Sequence, residues 1–435
     1  MVRFVLVVLL LVPVAALAQD KPDQKRTWLW STAYAVPKET TSEGSGYFSI
    51  IEGKNGHIYV GSAKYGSNAY LVDFDPQSKQ MRIAVDCMKE IGSNATGFAA
   101  QAKIHTRNNI GPSGKIYFGT KQGYPKDGES RSDYPGGYPM VFDPATGKTK
   151  VYDIPVKQQG IISVTPDESR NVAYISTCDD GRPIEKSRFM VLDLTTGKYQ
   201  DLIETEHMYA FIVVDHLGRA YHPLRGGDIA RYDSRSQKLD RLKQTIDGRP
   251  PLEASHLADE HSHPLNWDIS PDGKTLWCVA MSGNQLYSYD LTKAGDTLIG
   301  KSHGQLLKDA EATDCRALCV AADGKVWMGV NGTEIALDED RTKPSVPKKE
   351  TFMHLVSYTP GQVACRDYGR IAIKNPDYTA FTDASGKQLP WHHGVYKHSD
   401  GTTLPRYSLL GICASREGTV YVLTLSPFTL HAINP

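Results

Sequence analysis

The 435-residue sequence lacks several motifs that mark common enzyme classes. It contains no CxxC pair, no GxSxG segment and no GxxxxGK[ST] loop. Thiol-disulfide exchange, serine hydrolysis and nucleotide-dependent chemistry therefore have no support in the sequence. Helical repeats, linkers and low-complexity segments are also absent, which favours one continuous domain of extended structure.

Net charge and cysteine content exclude further classes. The chain has 49 basic and 49 acidic residues, which gives no electrostatic reason to expect nucleic acid or an anionic membrane surface as partner. Its seven cysteines are few and odd in number. We interpret them as small buried hydrophobes, and one disulfide between distant cysteines stays open. A thiolate metal site is not expected without a CxxC pair.

The first residues, MVRFVLVVLLLVPVAALAQD, combine a basic start, an apolar run and a small-residue cleavage site at Ala16-Leu17-Ala18. This is the pattern of a secretory signal peptide. We predict a signal peptide over residues 1–18 and a single domain over residues 19–435. No later run is long and apolar enough to span a bilayer. The expected protein is secreted or periplasmic, has no membrane span and is a monomer.

A short sequence pattern recurs along the chain: an extended apolar run, a turn, a second extended run, and then a stretch that contains an aromatic residue and Asp. Repeats spaced roughly 50 residues apart, each holding several strands, indicate a β-propeller. The seven turns are Asn55-Gly56, Ser113-Gly114, Glu168-Ser169, Leu217-Gly218, Asp272-Gly273, Asp323-Gly324 and Glu417-Gly418. The sequence therefore predicts an all-β fold, a seven-bladed β-propeller.

The two ends of the chain predict how this ring closes. The last repeat stops at LHAINP, one strand short of a full blade, and the alternating segment TWLWSTAYAVP precedes the first repeat. An N-terminal strand that completes the last blade would remove an exposed sheet edge. The long final interval contains an irregular stretch, residues 375–405, which we interpret as an insertion rather than an eighth blade.

Pairing about the turns predicts which side chains meet at the mouth of the channel. The first strand of a blade begins beside the end of its second strand, because the two are antiparallel. Tyr209 and Arg225 are symmetric about position 217, so they should lie side by side. The same arithmetic places His105 near Thr120 and Lys121. It also places Tyr47 near Ala63 and Lys64, His263 near Ser282, and Asp314 and Arg316 near residues 329–332.

A mouth built this way is rich in Tyr, His, Lys and Arg, which suits an anionic ligand. Each residue also has a simpler interpretation. Tyr209 fits a packed aromatic, Arg225 fits a surface pair with Asp228, and His105 fits a hydrogen-bonded strand residue. Their convergence on one face favours a site.

The run YAFIVVDHLGRAYHPLR, from Tyr209 to Arg225, together with His105, resembles the catalytic arrangement of the seven-bladed propeller lyases that cut ulvan. The resemblance implies β-elimination of a uronic-acid glycosidic bond in an anionic polysaccharide or oligosaccharide. Arg225 would neutralise the uronate carboxylate. Tyr209 or His105 would remove the C5 proton, and the other, or a neighbour, would protonate O4.

One feature departs from that family. The zone that holds its second histidine here reads FGTKQGYPKDGE and offers Lys121, Gln122 or Tyr124 instead. We expect Lys121, Tyr124, His263 and Arg316 to bind substrate. The chain as a whole resembles exported bacterial propellers of unassigned activity.

The histidine clusters leave open whether the protein binds a metal ion. EHSHP holds His261 and His263, and PWHHGVYKH holds His392, His393 and His398. Propeller lyases acting on oligogalacturonate, which the chain also resembles, use clustered histidines for a divalent metal. A lactonase-like hydrolase would instead use Asp314, Asn266 and Asn331. The leading hypothesis requires no cofactor. A metal-dependent hydrolase and a non-catalytic propeller that binds a glycan or a protein are the alternatives.

Overall fold

The computed structural model describes residues 28–42, 48–178, 187–205, 211–224, 226–250, 265–293, 295–308, 310–335, 349–375, 395–405, 407–425 and 428–435. These residues form an all-β structure. One short α-helix (α1, Cys87–Ile91) is present among them. Four 3-10 turns accompany it: Lys38–Thr40, Gly97–Ala99, Arg131–Asp133 and Glu168–Arg170. No described helix has the length and apolar character needed to cross a membrane.

The strands follow one another as antiparallel groups. Before the first group lies β1 (Trp28–Ala35). The next strands are β2 (Ile50–Glu52), β3 (Ile58–Gly61), β4 (Tyr70–Asp75) and β5 (Gln80–Asp86). The second group contains β6 (Lys103–Ile104), β7 (Asn109–Ile110), β8 (Ile116–Lys121), β9 (Pro139–Asp143) and β10 (Lys148–Val151). The third contains β11 (Gly160–Asp167), β12 (Val172–Cys178), β13 (Ser187–Asp193) and β14 (Tyr199–Thr205).

The remaining groups repeat this order. The fourth contains β15 (Val213–Val214), β16 (Arg219–Pro223), β17 (Ile229–Asp233) and β18 (Lys238–Ile246). The fifth contains β19 (Leu265–Ile269), β20 (Thr275–Ala280), β21 (Gln285–Asp290) and β22 (Thr297–Gln305). Next come β23 (Ala312–Val320), β24 (Val326–Ile335), β25 (Lys349–Tyr358) and β26 (Arg366–Ile373). A short hairpin, β27 (Val395–Lys397) and β28 (Thr403–Pro405), precedes β29 (Tyr407–Ala414), β30 (Val420–Leu425) and β31 (Thr429–Ile433). The hairpin lies within the irregular stretch predicted as an insertion.

Two parallel contacts join groups into eight-stranded sheets. Strand β18 pairs with β22 and strand β26 pairs with β1, each in a parallel register. On its other edge β1 lies antiparallel to β31, with Ser31 opposite Ile433. The Ser31 hydroxyl contacts the His431 ring at 3.0 Å and donates to the Ala372 carbonyl. Strand β1 therefore lies between β26 and β31 in one sheet.

Tight turns connect the first two main strands of each group. In the fourth group Val213 faces Tyr221, so the turn is centred at 217, as the sequence predicts. The N–H of the turn residue donates to the carbonyl three positions earlier in every group. The seven donors are Gly56, Gly114, Asn171, Gly218, Gly273, Gly324 and Gly418. We call the side of the molecule that carries these residues the turn face and the opposite side the mouth face.

Contacts between neighbouring turns run along the turn face. The Glu168 carboxylate accepts hydrogen bonds from the backbone N–H of Ser113 at 2.7 Å and from its hydroxyl at 2.6 Å. The N–H of His216 donates to the Gly273 carbonyl at 3.0 Å. Each bond links one group to the next, so the turns fix the relative positions of neighbouring sheets.

Gly273→Ala is expected to destabilise the protein more than Gly324→Ala. Both glycines have positive φ, +68° and +84°, and share the cost of placing a side chain in that region. A Cβ on Gly273 would lie 2.6 Å from the backbone nitrogen of His216, whereas nothing lies within 4 Å of the same position on Gly324. We expect Gly273→Ala to lower the free energy of unfolding by about 1–3 kcal/mol more than Gly324→Ala does. Equal unfolding free energies for the two variants in chemical denaturation would contradict it.

The hydrophobic core lies between neighbouring groups. Leu71 of the first group packs with Ile104 and Phe118 of the second, and all three side chains have no exposed surface. Complete burial of such a side chain stabilises the fold by about 1.5–3 kcal/mol. All seven cysteines are free thiols, six of them buried and Cys365 half-buried. The prediction that most are small buried hydrophobes is confirmed, and the structure contains no disulfide.

Candidate functional site

Two lysines face each other at the mouth face of the second group. Lys103 at the start of β6 is the register partner of Lys121 at the end of β8. The backbone N–H of Ala102 donates to the Lys121 carbonyl at 3.0 Å and extends the pairing by one residue. His105 follows Lys103 by two positions, which places both on the same side of an extended chain. We call Lys103, His105 and Lys121 the basic cluster.

All three members of the basic cluster are buried, each with 1% of its surface exposed. Lysine is almost never fully buried in a folded protein, because removing an ammonium group from water is costly. Burial lowers the pKa of His105 well below 6.5, and the nearby charges of Lys121 and Lys103 lower it further. His105 is therefore neutral at neutral pH and lies in an electropositive environment.

Packing and hydrogen bonds hold the cluster in place. The ring of Phe48 meets the His105 ring edge-on at 5.7 Å and the Phe211 ring at 5.1 Å. The Gln101 side chain supports the start of β6, since its carbonyl oxygen accepts from the Thr120 hydroxyl at 2.7 Å and from the Tyr134 hydroxyl at 2.9 Å. Phe48 therefore packs directly against the cluster, and Gln101 orders the segment that leads into it.

Glycine at position 160 lets the third group approach the cluster closely. A Cβ on Gly160 would collide with the Lys121 side chain and lie 2.6 Å from Oε1 of Gln122. That Oε1 atom is buried and has no hydrogen-bond partner within the described part of the chain. A buried acceptor normally binds a donor, so Gln122 places an acceptor beside Lys121.

Two tyrosines lie next to Lys103 at the rim. The Lys103 ammonium nitrogen is 4.5 Å from the centroid of the Tyr124 ring and 5.5 Å from that of Tyr65. The two ring centroids are 5.5 Å apart. Tyr124 is 60% exposed, whereas Lys103 beneath it is buried. Lys103 thus joins the buried cluster to the exposed rim.

Of the other predicted site residues, only Arg316 lies in the described part of the chain. Tyr209, Arg225 and His263 lie outside the described residues, as does Tyr47. Arg316 is paired with Asp314 at 2.8 Å and its side chain is 45% exposed. Asp314 is the register partner of Asn331, in agreement with the predicted pairing. Of the predicted set, the structure places His105 near Lys121, and Tyr124 is linked to them through Lys103.

Two residues named in the alternative interpretations, Asp228 and His398, have described partners. Asp228 binds Arg241 at 2.6 Å and Lys243 at 2.9 Å. His398 is buried between Asp400, at 3.2 Å, and Glu350, at 3.7 Å. His261, His392 and His393 lie outside the described residues. Across the described ranges, no group of three or more His, Cys, Asp or Glu residues could hold a metal ion.

A cavity of about 340 Å³ lies on the turn face, and no member of the basic cluster lines it. Arg107 of the second group and Asp268 of the fifth line it and form an ion pair of 2.7 Å. Arg107 also donates to the Trp267 carbonyl. Of the predicted site residues that the structure describes, none lines this cavity. The pair joins two non-neighbouring groups, which indicates that it spans the central channel.

Comparison with solved structures identifies the architecture. The streptogramin B lyase structure aligns over 93% of this chain and 97% of its own, with 13% identity and a TM-score of 0.51. The β-propeller domain of Cps50 (Swd1) from Myceliophteria thermophila aligns over 92% of this chain and 98% of its own, with 10% identity and a TM-score of 0.50. The chain has a β-propeller fold. A chain of the mitotic checkpoint complex aligns over 100% of this propeller and 99% of its own length, at 9% identity and a TM-score of 0.51. No protein-family model and no curated protein matches the sequence.

The sequence reasoning missed Lys103 and Tyr65. Lys103 could have been found from the same turn arithmetic, which pairs it with Gln122, one residue away from its observed partner Lys121. The observed register, Ile104 opposite Thr120, differs by one residue from the predicted pairing of His105 with Thr120. The interruption between β6 and β7 accounts for this shift. No local signal could have placed Tyr65, which comes from the first group.

Proposed function

We propose that the propeller has seven blades, forms one domain and is closed by β1. Each repeated turn lies within its own antiparallel group of strands, and this supports the number of blades. The antiparallel pairing of β1 with β31 supports the closure. The signal peptide pattern in residues 1–18 supports export to the periplasm or the medium.

We propose that the protein is a carbohydrate-active enzyme that cleaves a uronic-acid-containing polysaccharide by β-elimination. The buried basic cluster carries this proposal. Two lysines and a neutral histidine at the mouth face supply positive charge for a carboxylate and a lone pair for a proton. The resemblance to ulvan lyases adds Tyr209 and Arg225 to the same face.

The proposed reaction uses these groups in a single β-elimination step. Lys121 and Lys103 bind the uronate carboxylate and thereby acidify the C5 proton, which His105 removes. The C5–H electron pair becomes the C4=C5 double bond, and the C4–O4 bond breaks with its electrons on O4. Tyr209 protonates that oxygen. The bound carboxylate offsets the lysine charges that lower the pKa of His105, so substrate binding makes the imidazole a stronger base.

The test is ultraviolet absorbance of the purified protein incubated with ulvan, polygalacturonate, alginate and other uronic-acid polymers. A lyase product carries a double bond conjugated to its carboxylate, so we expect absorbance to rise with one of these polymers. Saturable binding without any product would contradict catalysis and identify a non-catalytic glycan-binding propeller. New reducing ends without absorbance, abolished by a chelator, would identify a metal-dependent hydrolase instead.

A further inference from the structure

The tyrosine pair at the rim is a second feature of the mouth face. Tyr124 comes from the second group and Tyr65 from the first, so the pair spans two sheets. The backbone N–H of Tyr65 donates to the Ser42 hydroxyl at 2.9 Å, which fixes the loop that carries this ring. The planes of the two rings are tilted by 59° to each other, so the rings do not share one plane.

Lys103 lies against both tyrosine rings of this pair. Its ammonium group lies under the Tyr124 ring, and the electron-rich face of an aromatic ring attracts a cation. Tyr124 nevertheless keeps 60% of its surface exposed. An aromatic face held in place by a buried cation and open to solvent suits the weakly positive C–H face of a sugar ring.

We propose that Tyr65 and Tyr124 form a second sugar-binding position, so that the site selects a chain of sugars over a single uronate. This inference rests on the proposed function. The basic cluster binds the carboxylate of the uronate that reacts. The neighbouring sugar of the same chain stacks on the tyrosines, because Lys103 contacts Tyr124 and belongs to the cluster at the same time.

Titration calorimetry with D-glucuronate and with a tetrasaccharide from ulvan tests the inference. We expect the ratio of tetrasaccharide to glucuronate affinity to fall about tenfold in Tyr124→Ala, which removes an aromatic stack, and to persist in Tyr124→Phe. Trp30→Ala is the matched control, because Trp30 is 50% exposed on β1. Its ratio should equal that of the unaltered protein.

The outcomes separate the two proposals. An unchanged ratio in Tyr124→Ala, with both ligands still bound, overturns the tyrosine position and leaves the basic cluster as the binding site. Equal losses for Trp30→Ala and Tyr124→Ala also overturn it, since the effect would not be local. Failure of the unaltered protein to bind either ligand overturns the proposed function together with this inference.

Discussion

Replacing His105 with glutamine is expected to lower kcat/KM for uronate cleavage by about a hundred- to ten-thousand-fold, because glutamine cannot accept the C5 proton. His303→Gln is the matched control. Burial lowers the pKa of His303 to about 4, and its ring contacts the hydroxyls of Ser288 and Tyr358 away from the cluster. We expect His303→Gln to retain activity in steady-state assays with the polymer identified by absorbance.

The pH dependence of kcat/KM tests whether His105 acts as the base that removes the proton. The acid limb of kcat/KM should lie below pH 6.5, since burial and the two lysines lower the pKa of the free imidazole. Lys121→Met removes one of those charges, so the limb should move toward 6.5. A limb that stays in place while activity falls would mean that Lys121 acts only in packing and would contradict the electrostatic argument.

The second large effect is expected on stability, from Glu334→Gln. Glu334 lies on β24, where its carboxylate contacts Nε2 of His354 at 2.8 Å and the guanidinium of Arg370. Burial opposes its ionisation, but the hydrogen bonds from His354 and Arg370 outweigh burial and lower the pKa of Glu334 to about 2. Removing this carboxylate should lower the free energy of unfolding by about 3 kcal/mol at neutral pH.

The dependence on pH has a definite sign. The pKa of Glu334 is lowered from 4.5, so its contribution is present above that value and is lost as pH falls through about 2. The stability difference between Glu334→Gln and the unaltered protein should therefore shrink in acid. Glu311→Gln is the control, because Glu311 pairs with the exposed Lys349. Surface pairs contribute about 0–1 kcal/mol, so denaturation of this variant should change little.

Much of the fold could be predicted because its signals are local. The turn at Leu217-Gly218 and the register of Val213 with Tyr221 depend on a few adjacent residues. The segment TWLWSTAYAVP could be assigned as a strand from its alternation. The ion pair of Arg107 with Asp268 has no such signal, because its members are distant in sequence and belong to different groups.

The proximity of candidate site residues could be predicted to the extent that register determines it. Turn arithmetic brought His105 near Lys121, and the structure places both in one buried cluster with Lys103. Burial was not predictable, since KIHTRNN reads as a polar segment. The proximity of Tyr65 to Tyr124 depends on how the first group packs against the second. The roles of Tyr209 and Arg225 stay predictions from the resemblance.

The pairing of β1 with β31 also limits the order in which the protein can fold. Ser31 and His431 are 400 positions apart, so their contact forms only after the residues between them have been synthesised. Until then the backbone edge of β1 that pairs with β31 is unpaired and can pair with other chains. We therefore expect a holdase that covers this edge of β1 to raise the yield of folded protein.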